Sequence, residues 1–415
     1  MYRIWHSTES LADYIIDHTL LGTRDVVKSK LYESDANNPT RFHTMPDHIR
    51  KILYLDAPDI IVELNNRPIF TIEISTAAGT GHTISQRFAR IAASVENGVP
   101  AFYVYSKGAI IPRSGRYKWD IINPIIFKVL EEVMRIHGIP ALLYYFPSDI
   151  DDFPNSDIAS APNFSNKGLR HDKDIAKYPA CPDSTSPEMA NMFAAINKVL
   201  KTIETKGLHD GRAALLHTRE IAQQRDFMSK EFYDRAGKKR LSGMSPLSAT
   251  IEVDTQYLLN FLSSHESGGY RIGELLRSRK TTVLYKANSG FRGDPYAGSL
   301  AAIDYLLCRE GKTFEDRNSN LVMVFGKMAI DDNDQTITIT NKAGSTIQRL
   351  FKDVKACAKH NLLTKDYAEL KSSEISRYYM QMRYGSTYSK VKHIRVFSHF
   401  ADAILFPDGA LWRDG

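Results

Sequence analysis

Cysteine is scarce in this sequence. The three cysteines, Cys181, Cys308 and Cys357, lie far apart along 415 residues and show no Cys-x-x-Cys spacing. Disulfide scaffolds and structural zinc sites need closely spaced cysteines, so the sequence favours neither. A reducing cytosol is the expected environment, and we predict a cytoplasmic protein.

Long apolar runs are missing as well. The first residues, MYRIWHSTESLADYIIDH, lack the uninterrupted apolar segment of a signal peptide. No segment approaches the roughly 18 apolar residues that a membrane-spanning helix needs. We therefore expect a protein with no membrane partner.

The charge balance is only mildly basic. The formal net charge is +6 and the sequence pI is about 8.9, because 54 basic residues are offset by 48 acidic ones. Such a balance permits a polyanionic partner without requiring one. The hydrophobic content of 43% is ordinary for a globular protein, and the length suffices for about two or three domains.

The first 150 residues predict an α/β domain with a central mixed sheet flanked by helices. Short apolar runs predict strands, and apolar residues at helical spacing predict helices between them. Thr83 and Gln86 have the spacing of a capping box at the start of one helix. The predicted strands are 52–55, two runs within 58–75, 101–105 and 141–146, and the predicted helices begin near residues 8, 84 and 124.

A change in composition predicts the domain boundary. Residues 151–189 are rich in Pro, Asp, Asn and Ser and have little periodicity, so we predict a linker or long surface loop there. A C-terminal α/β domain is then predicted for residues 190–415. The elements predicted beyond the boundary are helices in 187–225, a strand at 281–286, a helix from Asp294 to about Arg309, a hairpin of 321–330 with 336–340, helices in 345–382 and a strand at 393–397.

The stretch 58–97 carries the chemistry. Its two apolar runs are separated by the turn-forming cluster Asn65-Asn66-Arg67-Pro68. Asp59 opens the first run, and Glu73 shares a strand face with Ser75 in the second. Two carboxylates on adjacent antiparallel strands can converge at a sheet edge, and Mg²⁺ is commonly held by one or two carboxylates and a substrate phosphate. On these residues alone, two solvent-exposed acids on an amphipathic sheet are an open alternative.

The pattern Pro58-Asp59, then Glu73-Ile74-Ser75, resembles the PD-(D/E)XK nuclease superfamily, which includes most type II restriction endonucleases. The resemblance covers roughly residues 45 to 107. It implies a restriction-endonuclease-like core in which Asp59, Glu73 and the carbonyl of Ile74 bind Mg²⁺. It also implies double-stranded DNA as substrate and a homodimer, because a two-fold partner cuts both strands of a symmetric site.

One position departs from the family pattern. The family usually has lysine where this chain has Ser75, whose hydroxyl can position a water but brings no positive charge. His82, Gln86 and Arg87 follow the motif, and we predict that Gln86 and Arg87 complete the catalytic site with Ser75. Simpler roles are open for each: a loop contact for His82, the helix cap for Gln86 and a phosphate contact for Arg87. Glu63 shares a strand face with Asp59 and is a further possible metal ligand, but a surface position is the simpler interpretation.

Basic and aromatic residues interleave in the segment 113–119. Arg113, Arg116 and Lys118 are candidates for contacts with DNA phosphates, with solvated surface charge as an equal alternative. The same two interpretations are open for Lys238-Lys239-Arg240. Candidates for reading base edges in the C-terminal domain are Arg271, Arg277, Arg279, Asn288 and Arg292, and nothing in the sequence separates them.

The sequence thus predicts a Mg²⁺-dependent DNA endonuclease of the type II restriction kind. In this hypothesis residues 1–150 cut double-stranded DNA at a specific sequence and the C-terminal domain contributes recognition. A different class of function is a DNA-binding protein whose nuclease-like core has lost activity, with the missing lysine as the clue. A repair or phage-defence nuclease of the same superfamily is a further alternative.

Overall fold

The computed structural model describes residues 1–31, 44–76, 79, 81–113, 116–148, 168–172, 174–237, 240–265, 272–287, 293–340, 392–407 and 409–412. The described residues form two compact units, one ending at Ser245 and the other beginning at Pro246. Each unit contains its own mixed sheet with flanking helices, so the predicted α/β class is confirmed. In the ranges given above, no helix combines the length and apolar character that a membrane crossing requires.

Eight described strands belong to the first unit. They are β1 (Tyr2–His6), β2 (Val26–Lys30), β3 (Ile60–Leu64), β4 (Arg67–Ser75), β5 (Ala101–Ser106), β6 (Gly108–Arg113), β7 (Arg116–Ile121) and β8 (Ala141–Phe146). Six of them form a sheet in the order β2-β1-β3-β4-β5-β8, and β6 and β7 form a separate hairpin. The pairs β1/β3 and β3/β4 are antiparallel, whereas β4, β5 and β8 are mutually parallel neighbours.

Seven described helices accompany this sheet. They are α1 (Glu9–His18), α2 (Asp47–Leu53), α3 (Phe88–Glu96), α4 (Ile125–His137), α5 (Pro187–Lys206), α6 (Leu208–Leu215) and α7 (Arg219–Ala236). Helix α3 packs on β4 and β5, while α4, α5 and α7 pack against β8. The central strands β5 and β8 are buried along their whole length, as expected for parallel strands covered on both faces.

Turn residues hold the hairpin β3-β4 in register. Asn65 and Asn66 both have positive φ, 51° and 60°, which suits a two-residue hairpin turn and favours asparagine. Gly98 and Gly138 follow α3 and α4 with φ of 72° and 69°, as expected for residues that end helices. These three predictions, the hairpin turn and the two helix ends, are confirmed.

The strand predicted at 52–55 is wrong. Ile52 and Leu53 end α2, and both side chains are buried against the protein interior together with Ile49. A run of four apolar residues fits a buried helix as well as a strand, and only the neighbouring residues decide between them. The strand that precedes β3 in the antiparallel array is β1, formed by the first residues of the chain.

The division between the units lies after Ser245 rather than within 151–189. Helices α5 to α7 belong to the first unit because they cover β8, and the Gln224 side chain donates a hydrogen bond to the Leu143 carbonyl. Much of 151–189 lies outside the described residues. In the described part, Leu169 forms a bridge to Ser148, next to the end of β8.

The second unit contains seven described strands and four described helices. The strands are β9 (Thr250–Asp254), β10 (Thr281–Ala287), β11 (Ser319–Phe325), β12 (Lys327–Asp331), β13 (Thr336–Thr340), β14 (Ala403–Phe406) and β15 (Gly409–Trp412). The helices are α8 (Thr255–Ser264), α9 (Glu274–Ser278), α10 (Gly293–Ile303) and α11 (Lys392–Phe400). Five strands form a sheet in the order β15-β14-β11-β10-β9, with β10, β11 and β14 parallel.

Two predictions in this unit need correction. The strand predicted at 393–397 is helix α11, in which Val396, Phe397 and Phe400 are buried at helical spacing. The hairpin predicted from 321 to 340 is confined to β12 and β13, because residues 319–325 form the separate central strand β11. The helices predicted within 345–382 lie outside the described residues.

A buried ionic cluster lies beneath the second sheet. Arg317 binds Asp304 through Nη2 at 2.7 Å and Asp402 through Nη1 at 2.8 Å, and all three side chains are almost fully buried. Arg279 binds the same Asp402 at 3.2 Å and is 5% exposed, so it is not placed to read DNA bases. A buried charge without its partner is strongly destabilising, so these residues act as one unit.

Replacing Arg317 with methionine should destabilise the second unit by about 3–5 kcal/mol, because Asp304 and Asp402 would remain buried without it. Hydrogen exchange followed by mass spectrometry should show lost protection in peptides covering β11. The control is Lys28→Met, which removes a surface partner of Glu9 and Asp13 and should cost less than about 1 kcal/mol. Unchanged β11 protection in Arg317→Met would contradict this account.

Candidate active site

The antiparallel hairpin brings the two predicted carboxylates to one end of the sheet. Asp59 immediately precedes β3, and Glu73 lies near the end of β4. The register pairs Ile60 with Ile72, so the start of one strand lies beside the end of the other. Asp59 Oδ2 accepts a hydrogen bond of 2.8 Å from the Ile74 amide, which joins the two parts of the motif directly.

Glu73 is buried and bound by arginine. Its side chain is 2% exposed, and its Oε1 and Oε2 lie 2.7 and 2.6 Å from Nη1 of Arg90. The Nε of Arg87 approaches Oε1 at 3.6 Å from a side chain that is one-third exposed. Arg90 also reaches Asp56, with Nε 3.0 Å from Oδ2. A chain of charges thus runs from Asp56 through Arg90 to Glu73.

Negative charge is concentrated at this end of the sheet. Burial and the neighbouring Asp59 carboxylate hold the pKa of Glu73 well above its usual range, against the lowering effect of Arg90 and Arg87. Burial and repulsion thus destabilise the charged form of Glu73, and a further cation beside the two acids would stabilise it.

The oxygen donors at this place fit the preferences of Mg²⁺. Asp59 and Glu73 supply carboxylates, and the Ile74 carbonyl is the third donor expected from the motif. Mg²⁺ typically takes one or two carboxylates and fills its remaining positions with water and substrate phosphate. Among the described residues no group of three or more His, Cys, Asp or Glu side chains is arranged to hold a metal ion. Water and substrate phosphate would therefore have to supply the remaining ligands.

The start of α3 differs from the predicted capping box. Residues Gly81–Ser85 form a 3₁₀ turn, and α3 begins at Phe88 with Arg87 at its N-cap position. The Gln86 amide donates to the Thr83 carbonyl within this turn, and the Gln86 side chain is half-buried. The 3₁₀ turn delays the helix by one turn relative to the prediction and leaves Arg87 at its beginning, facing Glu73.

Ser75 and His82 occupy more enclosed positions than the motif suggested. Ser75 is 9% exposed at the end of β4, where it pairs in register with Tyr105 of β5. Burial lowers the pKa of His82 below its ordinary value, which favours the neutral ring. Gly79 lies so close to the Tyr105 hydroxyl and the backbone of Ile84 that a Cβ there would overlap both, so only glycine fits.

Arg90 is the residue that the motif did not reveal. On α3, Arg87, Arg90 and Ser94 recur at helical spacing, and they face the polar residues of β4. Ser94 Oγ accepts a 2.9 Å hydrogen bond from Thr71 Oγ1. Thr71 lies two residues before Glu73, on the same face of β4. Two polar stripes, one with period two and one with the helical period, are present in the sequence, but neither of them identifies Arg90 as the partner of Glu73.

Tyr103 is a second residue that sequence reasoning missed. It lies opposite Glu73 in the register of β4 and β5, is 1% exposed, and its hydroxyl has no hydrogen-bond partner in the described part of the chain. Burial, with Tyr105 and Glu73 nearby, raises the pKa of Tyr103 well above its usual range. An apolar-looking strand, AFYVY, gave no reason to single it out.

Glu63 is not a surface residue. It is 1% exposed, and its Oε2 lies 2.6 Å from Nε2 of His48 while Oε1 lies 3.5 Å from Nε of Arg3. The bulge in β3 at Val62 and Glu63 accompanies this placement. Glu63 therefore belongs to a structural ion pair away from the carboxylates of the motif.

The predicted DNA-contacting residues lie on the hairpin β6-β7. Arg113 and Arg116 are the last register pair of that hairpin, and Lys118 pairs with Ile111. The basic run 238–240 lies outside the described residues except for Arg240, and among the base-reading candidates Arg271, Asn288 and Arg292 also lie outside them. Arg277 donates from Nε to the Ile272 carbonyl.

Comparison with protein-family models, with curated proteins and with solved structures finds no match to this chain.

Removing the Arg90 guanidinium should destabilise the first unit by about 3–5 kcal/mol, because Asp56 and Glu73 would keep buried carboxylates without their shared partner. Arg90→Met is the test, with urea unfolding followed by circular dichroism. Adding Glu73→Gln to Arg90→Met should recover part of the loss, since one buried charge is then removed. The matched control is Arg87→Met, which should cost about 1 kcal/mol or less because that side chain is partly exposed. Equal losses for the two arginines would contradict the assignment.

Proposed function

We propose that this protein is a Mg²⁺-dependent endonuclease that hydrolyses double-stranded DNA at a specific sequence, as a type II restriction enzyme does. The observation that carries the proposal is the placement of Asp59, immediately before β3, beside Glu73 on the adjacent antiparallel strand β4, where the Ile74 amide binds Asp59 Oδ2. The strands β1, β3 and β4, followed by α3 and the parallel strand β5, support the resemblance to the PD-(D/E)XK core.

Asp59, Glu73 and the Ile74 carbonyl would hold Mg²⁺. When bound, Mg²⁺ stabilises the attacking and leaving oxygens of a phosphodiester during hydrolysis. The protein's own residues prepare the place for it. Arg90 fixes the Glu73 carboxylate through Nη1, and the Ile74 amide fixes Asp59 Oδ2, so neither carboxylate needs to reorganise when substrate arrives.

Arg87 supplies the positive charge that the family usually places at the position of Ser75. It stands at the start of α3, its Nε is 3.6 Å from Glu73, and one-third of its side chain is exposed to an incoming phosphate. Arginine offers several N–H donors in a fixed fork that matches phosphate oxygens. Ser75 and Gln86 then orient water at the edge of the site.

DNA contacts beyond the site fall to the hairpin β6-β7, which carries Arg113, Arg116 and Lys118. Contacts of this kind hold the phosphate backbone in register and carry no sequence information. A homodimer would bring two such sites to the two strands of a symmetric sequence.

A DNA-binding protein without nuclease activity is the second candidate. The observation that favours it is the engagement of both Glu73 oxygens by Arg90, which places a permanent cation beside the carboxylate. This candidate predicts salt-sensitive DNA binding and no Mg²⁺-dependent cleavage at any protein concentration.

Incubation of the wild-type protein with plasmid and phage DNA in Mg²⁺ should give discrete bands. Asp59→Asn and Glu73→Gln should each lower the cleavage rate by about a thousandfold or more, because a metal ligand is lost. Both variants should keep their affinity for DNA in a gel-shift assay. Asp226→Asn, an exposed acid on α7, is the matched control and should cut normally. A smear would indicate a non-specific nuclease, and full activity in both site variants would remove the proposal.

Arg87→Ala should lower kcat by about a hundredfold with a smaller effect on KM, if its charge acts on the reacting phosphate. Adding Ser75→Lys should restore part of the activity, because it returns a positive charge to the place where the family has it. Single-turnover cleavage rates measure both effects. Should Arg87→Ala cut at the wild-type rate, the missing charge comes from another residue.

A further inference from the structure

A pocket that several basic side chains line lies at the opposite end of the β3-β4 hairpin from the candidate active site. Its volume is about 430 Å³, and it is formed by α2, the hairpin turn, the end of α3 and the start of α6. The side chains that matter for its charge are Lys51, Arg67 and Arg212, with Asp47 and His48 at the same wall. From Arg67 to Glu73 the strand β4 spans six residue steps, or roughly 20 Å, so this pocket is separate from the candidate active site.

The three cations of the pocket have no acidic partner within the described part of the chain. No ion pair joins Lys51, Arg67 or Arg212 to a carboxylate there, whereas Asp47 is paired with Arg50 and His48 with Glu63. Lys51 and Arg67 are exposed. The pocket therefore carries an excess of positive charge that an anion would neutralise.

Contacts with Pro68 and Gly98 hold the Arg212 side chain in place. Its Nη2 donates to the Pro68 carbonyl. Its Nη1 packs against Gly98, 3.3 Å from the position that a Cβ at Gly98 would occupy. Its Nε is buried and has no hydrogen-bond partner in the described residues. Arg67 and Arg212 line the same pocket, and burial and the nearby Arg67 charge lower the pKa of Arg212.

An apolar pocket continues from the basic one. It has a volume of about 400 Å³, shares Arg67 and Leu208 with its neighbour, and is otherwise lined by aliphatic side chains including Ile69 and Ile203. Asn65 of the hairpin turn and Gly207 complete its lining. A ligand that fills both pockets has an anionic group at one end and an apolar body with polar edges at the other.

We propose that this pair of pockets binds a small organic phosphate with a flat apolar ring, a nucleoside monophosphate in chemical class. The phosphate lies among Lys51, Arg67 and Arg212, where charge-assisted hydrogen bonds are strongest. The ring lies over the half-buried Leu208, beside Ile203, where it loses contact with water. Because the pockets lie at the far end of the hairpin, binding is independent of Asp59 and Glu73 and of the proposed nuclease activity.

Isothermal titration calorimetry with adenosine monophosphate, inorganic phosphate and adenosine tests the proposal on the full-length protein. The nucleotide should bind more tightly than inorganic phosphate, and adenosine should bind at least about tenfold more weakly than the nucleotide. The double variant Lys51→Gln/Arg67→Gln should lose about tenfold or more in nucleotide affinity, since two charge-assisted bonds are lost. Both side chains are exposed, so the variant keeps the fold.

The matched control is Arg225→Gln/Lys230→Gln, which removes two charges from α7 and should bind the nucleotide as the wild type does. Asp59→Asn should also bind normally, which separates this proposal from the nuclease proposal. Absence of nucleotide binding up to about 10 mM, or equal affinity in the double variant, would overturn it. So would loss of duplex DNA affinity in that variant with no nucleotide binding by the wild type, because the surface would then be a DNA backbone contact.

Discussion

The buried pairing of Glu73 with Arg90 is the contact on which the first unit depends. A polar stripe on β4 and a polar stripe on α3 face each other inside an otherwise apolar interior, and Arg90 satisfies both Glu73 and Asp56. Removing Arg90 leaves both carboxylates buried without compensation. The same pairing fixes α3 against the sheet, which places Arg87 at the exposed end of the site.

Because of this pairing, Glu73 has both a structural role and a role in the proposed chemistry. The carboxylate that would bind a metal is also an anchor of the helix beside it, so a change that improves one role disturbs the other. An apolar replacement of the pair would pack well but would leave Asp59 as the only one of the two motif carboxylates at this end of the sheet. The proposed metal site would explain why these charges are buried at a loss of stability.

The strands and helices of the first unit were predictable wherever the sequence pattern fitted only one kind of secondary structure. Residues 101–105 and 141–146 read as buried strands, and Gly98 and Gly138 marked the ends of helices. Prediction failed at 52–55 and 393–397, where short apolar runs fit either a strand or a helix and tertiary packing decides. The carboxylates could be found from their spacing, but Arg90 and Tyr103 could not, because a partner across the fold is visible only once the helix lies on the sheet.

The first strand of the chain has a consequence for how the protein is made. Tyr2 lies in β1, which pairs with β3, and its hydroxyl binds Glu204 across 202 positions of sequence. Contacts of such separation form late and slowly, since the intervening chain must close first. During synthesis β1 leaves the ribosome before β3 and α5, so its edge and its apolar side chains stay exposed until those elements follow. Folding of this unit is expected to follow its synthesis rather than accompany it.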